Sequence, residues 1–290
     1  MLTAKAFAKI NWTLAVLDRR ADGYHEIQSL MHKIDLCDAM VFSEHSELVV
    51  ESALSIPQEQ NLVYRAASAL KQATDYPGGA RIRLKKSVPS GAGLGGGSGD
   101  AAATLSALND LWGLGLSLRQ LSEVGVMLGS DVPFFFAPAA ARVEGRGEIV
   151  TPLDIAQCST LLLVYPGFGV STAWAYSALA KKRAEHLTKG SDNLDNIQLL
   201  CNVLDKKDFS EVQPLLRNDL QDVVMEHYPV IRTIRDRLLD GGASAACMSG
   251  SGSTVFGLFA DAETASQYVG TFPGCWTRIV RTLAAEDGSL

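Results

Sequence analysis

A glycine-rich segment followed at once by helix-forming residues is the part of this chain best suited to chemistry. Six of the nine residues at positions 91–99 are glycine, so the backbone can adopt positive φ angles and turn its N–H groups toward an anion. Residues 101–111 favour a helix, whose N-terminus offers unpaired N–H donors and partial positive charge. A flexible linker is the common alternative, but Leu94 interrupts the run and the helix follows without a gap. The segment therefore predicts a phosphate-binding loop.

Two better-known phosphate-loop patterns do not account for this segment. The nucleoside-triphosphatase pattern needs a lysine beside its second glycine, and no lysine occurs between Lys86 and Lys181. Glycines 91, 93 and 96 fit G-x-G-x-x-G, but residues 80–86 before them alternate apolar with basic, unlike a buried parallel strand. The D-F-G and H-R-D triplets of protein kinases are absent from the sequence.

The pattern Pro89-x3-Gly93-Leu94-Gly95-…-Ser98 resembles the phosphate loop of the GHMP kinases, which are named for galactose, homoserine, mevalonate and phosphomevalonate. Two further motifs of that superfamily stand in the expected order, Ala8-Lys9-Ile10-Asn11-Trp12-Thr13-Leu14 and Met248-Ser-Gly-Ser-Gly-Ser-Thr254. Four more segments are similar to one branch, whose substrate is a cytidine diphosphate linked to a polyol: Asp22-Gly-Tyr-His-Glu26, the triple glycine 95–97, Gly129-Ser-Asp-Val-Pro133 and Arg217-Asn-Asp-Leu220.

The resemblance implies an α+β protein with the two-domain GHMP-kinase fold and an active site in the cleft between the domains. The N-terminal domain, expected over residues 1–157, would be like domain 2 of ribosomal protein S5 and would bind ATP. The C-terminal domain, expected over residues 158–290, would be ferredoxin-like. Propensity and periodicity predict helices and strands in mixed order, which agrees with α+β organisation. Predicted strands cover 6–17, 39–42, 47–50, 80–86, 134–136, 161–165, 254–259 and 277–282, and predicted helices cover 61–71, 101–112, 118–128, 172–182, 230–239 and 262–269.

Two residues, Lys9 and Asp131, are the candidates for the chemical step. Lys9 and Asn11 share one face of the first predicted strand, because side chains alternate with a period of two. Without the resemblance, Lys9 would be read as a solvated surface lysine and Asp131 as a turn or cap residue. The resemblance places Lys9 in the active site, where its ammonium offsets phosphoryl charge or lowers the pKa of the substrate hydroxyl. It makes Asp131 the general base, in a reaction that otherwise needs mainly positioning and charge neutralisation.

Candidate substrate contacts are aromatic residues that suit a pyrimidine. The resemblance places Tyr24 and His25 against the cytosine, where a tyrosine face can stack and a histidine can hydrogen-bond the base edge. Tyr176 lies where that branch closes the other side of the base, although a place in a helix core explains it equally well. Asn11 completes the expected substrate-binding set.

The expected ATP-binding residues follow the glycine loop and its flanks. Asn61 stands at the N-cap of a predicted helix, where capping alone would explain it, and Lys86 precedes the loop. The resemblance places both near the adenine. The chain departs from the branch at Gly99, where a second serine is usual, so Ser98 or a backbone N–H must supply whatever that hydroxyl provides. The full set is Pro89, Ser90, Gly91, Ala92, Gly93, Leu94, Gly95, Gly96, Gly97, Ser98, Gly99, Asn61 and Lys86.

Composition limits the other functions that the chain can serve. A net charge of −6 disfavours general binding to nucleic acid or anionic membranes. Five scattered cysteines without C-x-x-C spacing indicate reduced thiols in the cytoplasm, and no sequence segment is apolar enough to span a bilayer. No resident metal site is predicted, so Mg²⁺ would arrive with ATP. We expect a monomer or weak homodimer.

The resemblance implies ATP-dependent phosphorylation of the 2-hydroxyl of the cytidine-diphosphate-linked polyol, on the non-mevalonate route to isoprenoid precursors. Two alternatives stay open. Another GHMP kinase acting on mevalonate, homoserine or a sugar would keep the phosphate loop and would not need aromatic contacts to cytosine. A non-catalytic sensor of nucleotide and metabolite would have no need of the Asp131 base.

Overall fold

A computed structural model describes residues 1–53, 56–185 and 196–285 of the chain. In chain order the strands are β1 (Leu2–Arg19), β2 (His25–His45), β3 (Leu48–Ser52), β4 (Gly79–Lys85), β5 (Ala140–Gly145), β6 (Ile149–Leu153), β7 (Thr160–Tyr165), β8 (Arg217–Asn218), β9 (Ala245–Met248), β10 (Val255–Phe259) and β11 (Trp276–Arg281). The helices are α1 (Leu62–Ala73), α2 (Gly96–Leu111), α3 (Leu118–Leu128), α4 (Thr172–Glu185), α5 (Ile197–Lys206), α6 (Gln221–His227), α7 (Pro229–Asp240) and α8 (Ala262–Ser266).

The first sheet is organised around the long antiparallel pair β1 and β2. Its strand order is β3-β4-β2-β1-β8, and β5 also pairs with β2 and then with β6. One end of β2 pairs with β5 and the other end with β4, so a single strand carries two antiparallel neighbours in succession. Helices α1, α2 and α3 cover one face of this sheet, where Phe42, Leu70 and Leu108 are buried in a common core.

The second sheet has the order β11-β7-β10-β9 and is antiparallel throughout. The opposite face of β1 contributes to its core, since Ile10 and Trp12 are buried with Phe256 and Leu161. The Trp12 and Phe256 rings meet edge to face at 5.3 Å between centroids. Both faces of β1 are covered over residues 8–16, which are all buried, including the polar residues Lys9, Asn11 and Thr13.

The two halves of the chain are interlocked at the first sheet. Strand β8, from the second half, pairs in parallel with Thr13 and Leu14 of β1. The chain also returns to β2 after β11, where Leu283 N donates to Lys33 O at 3.0 Å. This packing holds β1 between the two halves, so its polar residues lie at the boundary where the active site was expected.

The predicted elements are confirmed in most places, with corrections at particular ones. Residues 134–136, predicted as a strand, form a 3₁₀ turn over Pro133–Phe136, because the proline initiates a turn and the three phenylalanines pack inward from it. The predicted strand at 39–42 is the far end of β2, whose first half was not predicted, and α5, α6, β5, β6, β8 and β9 were not predicted either. Within the described ranges, no helix is both long and apolar enough to cross a membrane.

Candidate active site

The glycine loop connects β4 to α2 and forms the wall of a cavity of about 430 Å³. Gly91, Gly93 and Gly95 have φ angles of 67°, 79° and 67°, which L side chains rarely adopt. A Cβ at Gly93 would lie 2.2 Å from the Ser249 carbonyl oxygen, so that position admits glycine only. Helix α2 begins directly after Gly95 and presents its N-terminus to the loop, which is the arrangement that suits phosphate.

Most of the predicted ATP residues in the loop line this phosphate cavity. Leu94 is instead buried in the core, while Ser90 and Gly99 do not contribute to the cavity lining. The residues that do contribute are Pro89, Gly91, Ala92, Gly93, Gly95, Gly96, Gly97 and Ser98. The part of the cavity wall that the loop contributes is therefore mainly backbone, as an anion site of this type requires.

Gly99 faces away from the cavity. A Cβ there would lie 2.5 Å from the Phe7 carbonyl oxygen on β1 and 3.4 Å from the Phe135 ring. A serine at this position would therefore point into the sheet, so the chain loses no phosphate contact by having glycine. Ser98, which lines the cavity, supplies the hydroxyl at the mouth of the loop.

Lys9 lies on the floor of the phosphate cavity in a network of three partners. Its ammonium donates to Asn11 Oδ1 at 2.5 Å and to Gly93 O at 3.2 Å, and lies 3.6 Å from Asp131 Oδ2. The backbone also joins strand and loop, because Lys9 N donates to Leu94 O at 2.9 Å. The structure thus brings together the two residues proposed for chemistry, Lys9 and Asp131, with the proposed substrate contact Asn11.

Burial sets the acid–base character of Lys9. Desolvation lowers the pKa of Lys9 below its ordinary value, and the charge of Asp131 opposes that shift. A second hydrogen bond fixes the Asn11 side chain, because its Nδ2 donates to Ser29 Oγ at 2.8 Å. These fixed contacts give the cavity a cation whose position does not depend on a bound ligand.

The second glycine motif forms another wall of the phosphate cavity. Gly250 and Ser251 line it, and Ser249 Oγ donates to Gly93 O at 3.0 Å. Asn218 supports this turn by donating through Nδ2 to Met248 O and Gly250 O at 2.7 and 2.8 Å. The Arg217–Leu220 segment of the sequence therefore acts as a brace for the turn.

A second cavity of about 640 Å³ adjoins the first and is lined by aromatic and basic side chains. The His25 and Tyr176 rings contact each other at its wall, with ring centroids 5.5 Å apart and planes 31° apart. Tyr24 lines the same cavity and is 54% exposed, so its ring is available to a ligand. We call this space the aromatic cavity. It brings together all three residues that the sequence proposed for cytosine.

Arg146 is a member of the aromatic cavity that the sequence did not predict. It lies on the turn between β5 and β6, and its guanidinium carbon is 5.1 Å from the centre of the Tyr24 ring. This is the range of a cation–π contact. The only sequence signal is that glycines 145 and 147 flank the arginine, which indicates a tight turn but gives no information about what the turn faces.

The protonation state of the aromatic cavity follows from its burial and charges. Partial desolvation, together with the positive charges of Arg19 and Arg183, lowers the pKa of His25. Burial raises the pKa of Tyr176 well above its ordinary value. His25 is therefore a neutral imidazole near pH 7, with one ring nitrogen that donates and one that accepts.

Asp131 lies where the two cavities meet, since its side chain lines both of them. Ile27, Thr172 and Tyr176 are shared in the same way. A hydroxyl group carried by a ligand in the aromatic cavity can therefore reach the carboxylate from one side while a phosphate group approaches from the other.

Asn61 and Lys86 are placed differently from the other predicted ATP residues, because neither belongs to the lining of these two cavities. Asn61 caps α1 by accepting from Val63 N at 3.0 Å. The Lys86 ammonium contacts the Asp38 carboxylate and lies 2.7 Å from Asp100 Oδ2. Burial raises the pKa of Asp100 to about 7, against the opposing effect of Lys86. Their role at the adenine stays a prediction.

Across the described residues, no group of three or more histidine, cysteine, aspartate or glutamate side chains is arranged to hold a metal ion. Asp131 is the one carboxylate among the described residues that line the phosphate cavity, and the neighbouring Lys9 ammonium repels a cation. This donor set fits a Mg²⁺ ion that arrives bound to nucleotide phosphates and takes its remaining ligands mainly from water.

Comparison with known proteins defines the class to which this fold and site belong. The family model described as "GHMP kinases N terminal domain" matches residues 61–138, and the one described as "GHMP kinases C terminal" matches residues 197–271. A Leishmania major mevalonate kinase bound to R-mevalonate has the same fold, with a TM-score of 0.73 over 98% of this chain and 96% of that one, at 14% identity. The chain belongs to the GHMP kinase family.

Two relatives within that family carry the same name. A 4-diphosphocytidyl-2-C-methyl-D-erythritol kinase from Thermodesulfovibrio yellowstonii is 48% identical over 283 residues, which cover 98% of both chains. A protein of the same name from Geobacter metallireducens is 46% identical over 91% of both. A crystal structure of 4-(cytidine 5'-diphospho)-2C-methyl-D-erythritol kinase superposes with a TM-score of 0.82 and 32% identity, covering 96% of this chain and 99% of that one. The resemblance to this branch is thereby confirmed.

Proposed function

We propose that this protein transfers the γ-phosphoryl group of ATP to the 2-hydroxyl of 4-diphosphocytidyl-2-C-methyl-D-erythritol. The products are the 2-phosphate and ADP, on the non-mevalonate route to isoprenoid precursors. One observation carries the proposal: Asp131 lies at the junction of a glycine-lined cavity and an aromatic cavity, 3.6 Å from a buried lysine ammonium. High identity to relatives that bear this kinase's name supports it.

ATP is the phosphoryl donor and lies with its phosphates on the loop over residues 91–98. The backbone N–H groups of the loop and the N-terminus of α2 neutralise phosphate charge, as helix N-termini do in other anion sites. Mg²⁺ accompanies the nucleotide and shields the charge on its phosphates. Lys9 stabilises the charge that builds up on the phosphoryl group during transfer, from the floor of the same cavity.

Asp131 accepts the proton of the attacking hydroxyl. The substrate oxygen forms a bond to the γ-phosphorus while the bond from that phosphorus to the bridging oxygen of ADP breaks, and the hydroxyl proton passes to the carboxylate. The Lys9 ammonium, 3.6 Å from Asp131 Oδ2, holds the carboxylate beside the phosphate cavity by charge attraction. Asn11 fixes the direction of Lys9 and borders the substrate in the same cavity.

The aromatic cavity holds the cytosine. Tyr24 and Tyr176 offer ring faces for stacking, and the neutral His25 imidazole offers both a donor and an acceptor to the base edge. Mevalonate and homoserine have no group that would occupy such a space. This cavity therefore favours the cytidine substrate over those of other GHMP kinases.

The proposal extends to domain organisation, compartment and partners. Residues 1–157 and 158–290 form the ATP-binding domain and the second domain. The protein works in the cytoplasm as a monomer or weak homodimer, without nucleic acid or membrane as a partner. The reduced state of its five cysteines supports the compartment, and the net charge of −6 supports the absence of a polyanionic partner.

The test measures ADP release by purified protein with Mg-ATP and, in parallel, the cytidine substrate, mevalonate and homoserine. We expect turnover with the cytidine substrate alone, and CMP should compete with it but not with ATP. Turnover with mevalonate or homoserine instead would support the kinase chemistry and contradict the assigned substrate. No turnover with any alcohol would favour a non-catalytic sensor.

A further inference from the structure

The edge of β1 next to the aromatic cavity is completed by two side chains in place of a strand. Strand β8 pairs with β1 at Thr13 and Leu14 and then ends, and Asp219 N donates to Leu14 O at 3.0 Å. At Val16 the backbone N–H donates to Asp219 Oδ2 at 2.9 Å, and the carbonyl accepts from Arg183 Nη1 at 2.8 Å. Both backbone groups of Val16 are thus satisfied by a carboxylate and a guanidinium.

The same two side chains bind each other. Arg183 Nη2 donates to Asp219 Oδ2 at 2.9 Å, and Arg217 Nε donates to Asp219 Oδ1 at 2.8 Å. The Arg183 and Asp219 side chains are only 17% and 10% exposed. A planar guanidinium with several fixed partners is held in one orientation, unlike a surface ion pair that exchanges with water. We call Val16, Arg183 and Asp219 the edge clamp.

Arg183 belongs to α4, the helix that carries Tyr176. The two residues are seven positions apart, which is two turns, so they lie on the same side of the helix about 10 Å apart along its axis. The edge clamp ties the far end of α4 to β1, whose neighbour β2 carries His25. The contact between the rings of His25 and Tyr176 at the wall of the aromatic cavity therefore depends on how this end of α4 is held.

The charge of Arg183 reaches the same cavity. It acts together with desolvation and Arg19 to lower the pKa of His25. The guanidinium is therefore close enough to His25 to influence its protonation, and it also donates to Val16 O and Asp219 Oδ2. Arg183 does not appear in the lining of either cavity, so it acts through other residues.

We propose that Arg183 and Asp219 are positioning residues for the base-binding side of the active site, which hold α4 against β1 and so place Tyr176 opposite His25. The inference rests on the proposed function, because it assigns the aromatic cavity to the cytidine of the substrate. It predicts that loss of the edge clamp weakens binding of the cytidine substrate and leaves binding of ATP unchanged.

The test compares Arg183→Met, which keeps the length and loses the charge, with Arg183→Lys, which keeps the charge and loses the planar fork. Lys182→Met is the matched control, since Lys182 is the preceding residue on α4 and pairs with Glu226 at the surface. Steady-state kinetics give KM for each substrate, CMP binding is measured by calorimetry, and thermal unfolding checks the fold.

We expect Arg183→Met to raise KM for the cytidine substrate and the Kd of CMP by about ten-fold or more, with KM for ATP within about two-fold of wild type. Arg183→Lys should give values of KM and Kd between those of wild type and Arg183→Met. Lys182→Met should give the wild-type values. If Arg183→Met does not fold, Arg183→Lys decides the question by the same split between substrates. Unchanged KM for the cytidine substrate in a folded Arg183 variant, or equal losses for both substrates, would overturn the inference. Failure of the wild-type enzyme to turn over the cytidine substrate would instead overturn the proposed function.

Discussion

Lys9 and Asp131 form an ion pair whose two members differ sharply in exposure. The ammonium and carboxylate are 3.6 Å apart, yet the Lys9 side chain is 4% exposed and the Asp131 side chain 34%. The lysine is therefore fixed inside the protein, while the carboxylate can receive a proton from a ligand that enters from solvent. This asymmetry separates the two roles and leads to the first prediction.

Replacing Asp131 with Asn should remove the proton acceptor and keep the shape of the site. We expect kcat to fall by about 10²–10⁴-fold, the usual contribution of general base catalysis, with KM for ATP little changed. ADP release measures the rate, and circular dichroism checks the fold. Asp240→Asn, a change at an exposed residue outside both cavities, is the control and should retain wild-type turnover. Full activity of a folded Asp131→Asn protein would rule out the assigned base.

Introducing serine at position 99 should harm the protein, although the branch usually has serine there. The new Cβ would lie 2.5 Å from the Phe7 carbonyl oxygen, so β1 or α2 must shift. We expect Gly99→Ser to lower the free energy of unfolding by about 1–3 kcal/mol, as overpacking does, without lowering KM for ATP. Urea unfolding and ATP kinetics provide the measurements.

A matched control for that change is Gly270→Ser, because a Cβ at position 270 would have no atom within 4 Å. This variant should be nearly as stable as wild type. Ser98→Ala should show the opposite pattern, with a higher KM for ATP and an unchanged free energy of unfolding, because Ser98 lines the phosphate cavity. A gain in ATP affinity from Gly99→Ser would contradict the assigned orientation of residue 99.

Lys86 should matter for stability through the two carboxylates that it bridges. Lys86→Met would leave Asp38 and Asp100 buried without their shared cation, and breaking a buried pair in this way costs about 3–5 kcal/mol. Asp100→Asn should be much milder, because Asp38 remains paired with the lysine. Chemical unfolding of both variants measures their free energies of unfolding. A loss in Lys86→Met no larger than the loss in Asp100→Asn would contradict the prediction.

The stability difference between Asp100→Asn and wild type should also depend on pH. Burial raises the pKa of Asp100 to about 7 in the folded protein, above the ordinary value of 3.8 in the unfolded chain. The unfolded chain therefore releases this proton first, and wild type loses stability as pH rises from about 4 to about 7. Asparagine has no such proton, so the stability of the variant relative to wild type should increase as pH rises over that range. A constant difference from pH 4 to pH 7 would contradict the shift.

His32 should make the protein sensitive to acid. Its Nδ1 accepts from the Trp12 indole N–H at 3.2 Å, and its Nε2 lies 2.9 Å from Leu283 O, so the neutral ring satisfies both partners. A second ring proton would face the indole N–H. Burial lowers the pKa of His32 from 6.5 to about 4.

Because the unfolded chain takes up this proton first, stability should be lost as pH falls from 6.5 toward 4, by roughly 3 kcal/mol in total. The His32→Gln variant should be less stable at pH 7 and should show a flatter pH dependence below 6.5. Unfolding free energies at four pH values test this. An unchanged slope in His32→Gln would show that another group is responsible.

Much of the site could be predicted because its residues carry local signals. The glycine loop requires positive φ angles and a helix that follows it directly, and adjacent residues in the sequence indicate both. Lys9 and Asn11 share a strand face by simple alternation, and the structure brings them together at 2.5 Å. Similarity of short motifs supplied Asp131, Tyr24 and His25, which no local pattern separates from ordinary turn residues.

What could not be predicted depends on contacts between distant segments. Lys33, fully buried in β2, donates to Phe135 O and Ala137 O at 3.0 and 2.7 Å, and desolvation lowers its pKa to about 7. A lysine in the middle of a strand normally indicates a solvated face, so this half of β2 was not predicted. The orientation of Gly99 and the place of Arg146 over Tyr24 are likewise set by neighbours more than thirty residues away in sequence.

The interlocking of the two halves bears on how members of this family can be recombined. Strand β8 and Leu283 come from the second half, yet they complete edges of the sheet built by the first. A chimera that joins residues 1–157 of this chain to the second half of a relative would therefore inherit a foreign edge strand beside Thr13 and Leu14. Exchange of halves between such enzymes transplants part of the sheet that carries the chemistry, so compatible crossover points must be chosen by strand partners and not by the order of residues along the chain.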